Sequence, residues 1–306
     1  MLQLNGRRRA AALLSGAVLA SMTAGAAHPA AQRDARERHV IVSVADKDDK
    51  PVPGLTVRDF TIREDGVARE IMAVAPAAPP SHMILLVDDS QVTQPLTIEL
   101  RAGIKGFLRQ VLADRRETAI RLATFGDRPT TRAEFTTSLP SLTAAVDRIT
   151  PRPGAGGVLL EAIFESCRDL RKQAAVQPVI VAFVEEHGPE FSNETHSRIA
   201  DALKEVGAAL WTVVLQDQTL GGQDRSQEIR ERTRVLSEVT VDSGGLNTTF
   251  LSRQGIEPAF AEVAAKLTNR YDVTFARPAS YTPPSRINIE IRDRALRLAA
   301  PRWAAP

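Results

Sequence analysis

Met83-Ile84-Leu85-Leu86-Val87-Asp88-Asp89-Ser90 is the stretch whose reading decides the fold. Five apolar residues in a row, with no polar alternation, mark a strand buried on both faces, the pattern of parallel sheets covered by helices. Downstream, Leu100, Ile104, Phe107, Leu108 and Val111 recur at helical spacing, and residues 119–125 read as the next strand. Helical periodicity returns through Leu142, Val146 and Ile149 and again through Leu160, Ile163, Cys167 and Leu170. Strands at 179–184, 210–215 and 248–251 then alternate with helices carrying Ile199 and Leu203, residues 229–239, and Ile256, Phe260, Val263 and Leu267. This order predicts an α/β domain over residues 81–270, a doubly wound, mostly parallel sheet of about six strands.

The flanks read differently. Val40-Ile41-Val42-Ser43-Val44 opens an N-terminal β segment, 40–76, that ends at the boundary Pro76-Ala77-Ala78-Pro79-Pro80. Asp46-x-Asp48 has the start of a calcium loop, but Lys50 and Pro51 stand where such a loop needs an oxygen ligand and a glycine, so a turn is expected there. Residues 271–300 return to β, and neither flank has enough strands for stability alone. The two are expected to pair into one small antiparallel appendage.

The chain of 306 residues carries 39 Lys and Arg against 37 Asp and Glu, with 43% hydrophobic residues, an ordinary globular balance. A net charge of +2, without a basic block or an aromatic series, gives no footprint of nucleic-acid binding. Cys167 is the only cysteine, which excludes an intramolecular disulfide and any multi-cysteine metal site. Arg7-Arg8-Arg9, an apolar run from Ala10 to Ala20 and the small residues ending at Ala26 form the order of a cleavable export signal, residues 1–26, followed by a linker at 27–39. The apolar run is too short to span a bilayer, and the paired arginines leave both the general and the twin-arginine export routes open. Removing the signal takes away three arginines and no acid and turns +2 into −1. The expected location is periplasmic or secreted.

Three loops fall at strand ends, where ligands of such sheets bind. They are Asp88-Asp89-Ser90-Gln91-Val92-Thr93, Gly154-Ala155-Gly156-Gly157-Val158 and Glu185-Glu186-His187-Gly188. With them, the chain resembles the von Willebrand factor type A family, in particular its secreted bacterial, acidobacterial-type subgroup. The subgroup's opening segment is matched by Asp46-Lys47-Asp48-Asp49-Lys50-Pro51-Val52-Pro53-Gly54-Leu55, Asp59-Phe60 and Glu64-Asp65-Gly66. The resemblance implies a protein-binding module with a metal-ion-dependent adhesion site, in which Asp-x-Ser-x-Ser, a Thr and an Asp hold Mg²⁺ or Mn²⁺. Here Asp88 and Ser90 match, Val92 replaces the second Ser, Val158 the Thr and Glu185 the Asp. The expected site is therefore degenerate, with Asp88, Ser90 and Glu185 as the metal candidates and Asp88, Asp89, Ser90, Thr93, Val158 and Glu185 forming the binding edge.

Two other readings of these loops stand beside it. Asp88 and Ser90 are residue types that cap a following helix. Alternatively, Asp88, Asp89, Glu185 and Glu186 converge without an ion, repel one another and favour a cationic partner. Asp242-Ser243-Gly244-Gly245 has the look of a protease nucleophile segment but lies in the wrong context, so a turn is expected. Glu186, His187 and His196 lack zinc-binding spacing and read as solvated loop residues, and Cys167 reads as a buried helix residue. A non-enzymatic protein-binding module is the resulting expectation. The alternatives are an assembly subunit acting through its β appendage, or a hydrolase using His187 and Ser90.

Overall fold

The structure, a computed structural model, describes residues 35–113, 117–216, 226–278 and 284–304. The expected signal at 1–26 and the linker up to residue 34 lie outside the described residues. Among those described, no helix is long and apolar enough to cross a membrane.

The chain opens with β1 (Ala35–Ala45), β2 (Phe60–Glu64), β3 (Val67–Arg69) and β4 (Ile71–Pro76). The β unit thus begins five residues earlier than the 40–76 segment read from sequence, because residues 35–39 pair with β11 (Arg270–Pro278). The α/β unit follows: β5 (His82–Val87), α1 (Thr97–Ala113), β6 (Ala119–Thr124), β7 (Thr130–Thr136), α2 (Leu139–Asp147), α3 (Leu159–Lys172), β8 (Val179–Glu185), α4 (His196–Val206) and β9 (Ala209–Leu215). It finishes with α5 (Gln227–Arg234), a π-helical turn (Val235–Val239), α6 (Thr240–Asp242), β10 (Asn247–Phe250) and α7 (Ile256–Thr268). After β11 the chain ends in β12 (Ile287–Ile291) and β13 (Arg297–Ala299).

The central sheet has the order β10-β9-β8-β5-β6-β7. All its neighbours are parallel except β7, which pairs antiparallel to β6 and was not legible as a strand. Its Thr-rich sequence carries no apolar alternation, since no residue of this edge strand is fully buried. In β5 the two-residue strand period splits the decisive run: Met83, Leu85 and Val87 join one core with α1, α2 and α7, while Ile84 and Leu86 join the other with α3 and α4. Phe260 of α7 locks the first layer, with its ring centroid 5.9 Å from Phe107 and 6.0 Å from Phe183. The doubly wound, mostly parallel sheet expected from sequence is present.

The appendage is built from both ends of the chain, as expected, and consists of two sheets. The four-stranded sheet β13-β1-β11-β4 faces the three-stranded sheet β12-β2-β3 across a shared core of Val40, Val42, Phe60, Ile62, Val273 and Phe275. The opening motif explains itself here. Asp46 accepts the Asp48 and Lys50 amides at 2.8 and 3.0 Å, forming the expected turn. Thr56 and Asp59 make a capping box, and Asp65 and Gly66 turn with φ of 44° and 82°. Glu64, fully buried, takes Arg69 Nε at 2.8 Å and Arg277 Nε at 2.8 Å. Arg302 N bonds to Asp242 O and Lys266 to Asp49, fastening the appendage at the end of the sheet opposite the candidate loops.

Candidate functional site

The three loops meet at the carboxyl ends of β5, β6 and β8 and are stitched by backbone bonds. Gln91 N donates to Ala155 O at 3.1 Å, and Gly157 N and Phe191 N close a bridge with Pro189 O and Gly157 O, both at 2.8 Å. Asp88, at the end of β5, is buried; its Oδ1 accepts Ser90 N at 2.8 Å and its Oδ2 faces Glu185 N at 3.5 Å. Ser90 does not cap with its side chain, contrary to the capping reading. Its carbonyl accepts Thr93 Oγ1 at 2.8 Å, and its own Oγ is buried beside the Asp88 carboxyl. Thr93 is thereby consumed in the turn and leaves the expected binding edge.

Asp89 leaves it too. Expected among converging acids, it turns away and receives Gly126 N at 2.6 Å, Arg132 Nη2 at 2.7 Å and Arg152 Nε at 3.3 Å. Two guanidiniums on one fully buried carboxylate make it a bracket between loops. Gly126 permits this, because a Cβ there would meet Asp89 Oδ1 at 2.8 Å.

Val158 stands at the N-terminus of α3 and provides no cap. The orphan amides of that first turn are instead taken by the third loop: Glu190 Oε1 accepts Leu159 N at 2.9 Å and Ser192 Oγ accepts Leu160 N at 3.1 Å, with Ser192 also bonded to Glu190. Neither residue was singled out from sequence. The signal was there in negative form, since a helix starting on Val needs its cap from elsewhere.

Arg232, on α5, is the other missed residue. It is 2% exposed and reaches under the third loop, donating Nη1 to Gly188 O at 2.9 Å and Nη2 to Glu186 O, with Nη1 3.6 Å from Glu190 Oε2. Its charge favours the ionised forms of Asp88 and Glu190, but burial outweighs it. Burial raises the Asp88, Glu185 and Glu190 carboxyls above their ordinary values, Glu190 to about 7. A folded-state pKa above the unfolded one means the native state holds the extra proton between pH 4.5 and about 7, so the Glu190 contribution to stability is present at low pH and declines across that window. Glu185 has Oε1 3.3 Å from His187 Nδ1, and its Oε2 has no hydrogen bond among the described residues. His187 therefore serves Glu185 and is not joined to Ser90.

The degenerate metal site does not fit Mg²⁺ or Mn²⁺. Val92 packs toward Gly188 and Val158 into the core, where the motif needs oxygens, and an octahedral ion demands six. Among the described residues, no group of three or more His, Cys, Asp or Glu side chains is placed to hold an ion. Above the buried carboxyls lies an open groove of about 770 Å³ lined by Gln91, Val92, Gln94, Pro95, Pro189 and Phe191, with no charged residue among the described residues of its wall. Phe191 is 58% exposed. Of the four acids expected to converge there, Asp88, Asp89 and Glu185 are buried, and Glu186 is half-buried.

The remaining motifs have structural roles. Ser243 Oγ donates to Thr240 O at 2.7 Å and accepts Leu210 N at 2.9 Å. His196 lies at the start of α4 rather than in a loop, part-exposed, with its Nδ1 2.6 Å from Glu231, which ties α4 to α5. Cys167 is buried in α3, and burial pushes its thiol up to about 12.

No known family's sequence model matches the chain, and no curated protein matches it. Solved structures do. Proximal thread matrix protein 1 from the mussel byssus superposes with a TM-score of 0.47 at 14% identity, over 67% of this chain and 49% of that one. The vWF domain of the type V pili tip protein Mfa5 from Porphyromonas gingivalis gives 0.46 at 10% identity, over 61% and 95%. The pilus adhesin SpaC from Lactobacillus rhamnosus GG, in its open conformation, gives 0.49 at 10% identity, over 84% and 47%. The chain spans about half the length of the mussel protein and of SpaC.

Proposed function

We propose that this chain is a non-enzymatic, exported protein-binding module whose loop edge works without a divalent ion. The observation that carries the reading is Arg232: a buried guanidinium stands under the loops beside Asp88 and Glu190, where an ion would otherwise balance the carboxyls. A metal site recruits an acidic group from its partner to complete the ion's shell; this edge offers no such vacancy. It presents amide, proline and aromatic surface instead, with Phe191 as the anchor, a composition suited to a neutral protein surface. The arginine-led N-terminus supports export, and the opening β motif supports the acidobacterial-type subgroup. The test is capture of partners from the extracytoplasmic fraction by the immobilised mature chain. Capture is expected to survive EDTA and to be lost in Phe191→Asp; loss with EDTA in the wild type contradicts the reading.

One observation favours a second reading, attachment through the appendage. Val67 on β3 and Met72 on β4 are 55% and 50% exposed on edge strands adjacent in sequence. Deleting residues 40–75 would not test this, because β1 supplies the centre of the four-stranded sheet. Met72→Glu tests it in the same capture: retention there with loss in Phe191→Asp assigns the loop edge, and the opposite pattern assigns the appendage.

A further inference from the structure

β10 is the outer strand of the central sheet, and among the described residues its strand partner is β9 alone. Thr212 N bonds to Leu246 O and Gln216 N to Phe250 O, so in this parallel ladder Leu246, Thr248 and Phe250 turn their peptide groups toward β9. Asn247 and Thr249 turn theirs the other way, about 6.6 Å apart along the strand. Both residues are exposed, and neither peptide group has a backbone partner among the described residues. Free edges are templates for strand pairing and are commonly blocked by proline, charge or a bulge. β10 carries none of these.

This edge lines a groove of about 330 Å³ whose wall also holds β13, the outer strand of the appendage's four-stranded sheet. Two sheet edges therefore border one space. Ser43 of β1 is in the wall too, 5% exposed, with no hydrogen bond to its Oγ among the described residues. The charges of the wall cancel. Lys266, 6% exposed, holds Asp49 at 3.1 Å and Glu262 at 2.7 Å, and Arg297 holds Asp49 at 3.1 Å, two acids against two bases.

We propose that this groove binds an extended, uncharged peptide segment of a partner protein, which pairs with β10 as a seventh strand of the central sheet. An extended chain presents N–H and C=O groups to one side at every second residue, the spacing of Asn247 and Thr249. Main-chain bonds of this kind supply affinity, and alternate side chains entering the groove supply specificity. A small anion or a sugar offers no such repeat. The four residues of β10 admit a short segment rather than an open-ended sheet. The groove shares no lining residue with the one beside Phe191, so the inference stands apart from the loop edge.

The test titrates the isotope-labelled mature chain with acetyl-Thr-Val-Thr-Val-Thr-amide and follows backbone amide resonances. Saturable shifts are expected at Asn247 and Thr249, and none with the same peptide N-methylated at every amide, which blocks both of its edges. Thr249→Pro removes an outward N–H and fills the edge without touching the β9 ladder, a position where an edge strand tolerates proline. It should keep the wild-type melting temperature and weaken binding about tenfold or more, read at Asn247. The proposal is overturned if no saturable shift occurs, if the shifts map elsewhere, if the N-methylated peptide binds as well, or if folded Thr249→Pro keeps wild-type affinity. Should that variant not fold, the N-methylated comparison decides alone. Peptides with Lys or Glu at the centre are expected to bind less tightly, and tighter binding of either overturns the neutral assignment.

Discussion

Arg232→Met is expected to lower stability by about 3–5 kcal/mol near neutral pH, the range for removing one partner of a buried charge group. Two losses combine. The carbonyls of Glu186 and Gly188 lose their donors, and Asp88 and Glu190 lose the nearby cation that favours their charged forms. Only the second depends on pH. Without the guanidinium, the folded-state carboxyl pKa values rise further, so the folded variant stays protonated to a higher pH than the unfolded chain. Its deficit relative to wild type should therefore be largest at pH 8 and shrink toward the donor term alone, about 1–3 kcal/mol, near pH 4.5. Denaturant unfolding at the two pH values measures this. An equal deficit at both would mean that Arg232 acts only as a hydrogen-bond donor.

Gly245→Ala is expected to cost about 3 kcal/mol or more, at the high end for overpacking. A Cβ there would lie 1.6 Å from Leu210 O, in the backbone of β9, so the central sheet or the preceding turn must move. Gly106→Ala in α1 is the contrasting substitution. Its Cβ would meet nothing closer than Arg109 Nη2 at 3.9 Å, and removing a helical glycine should stabilise by about 0.5–1 kcal/mol. Chemical denaturation of the pair reads both. A near-neutral Gly245→Ala would show that the approach of the Asp242-Ser243-Gly244-Gly245 turn to β9 is not what these glycines serve.

Most strands and helices of the central sheet were legible, β7 apart, because their evidence is local: apolar runs for buried strands and helical spacing for the helices between them. The candidate loops were located by the same logic, at strand ends. What the loops contain was not legible, because its determinants are far apart in the chain. Arg232 lies 44 residues beyond its acceptor Gly188, and Glu190 caps an amide 31 residues earlier. Sequence could show that Val92 and Val158 break a metal-binding pattern but not what replaces it. Asp89 carries the same lesson, since Arg132 and Arg152 are unremarkable surface-type residues until the fold folds them onto its carboxylate. The split of the appendage into two sheets was hidden for a further reason. Strand pairing between chain ends depends on register, which periodicity alone does not give.

The measurement that bears most directly on the central claim is titration of Mg²⁺ and Mn²⁺ into the mature protein by calorimetry, with thermal unfolding in the same buffers. An edge whose buried carboxyls are balanced by Arg232 should give no saturable heat and no rise in melting temperature with either ion. Saturable micromolar binding that Asp88→Ala abolishes would show instead that Asp88, Ser90 and Glu185 hold an ion, and the account of an ion-independent edge would be wrong.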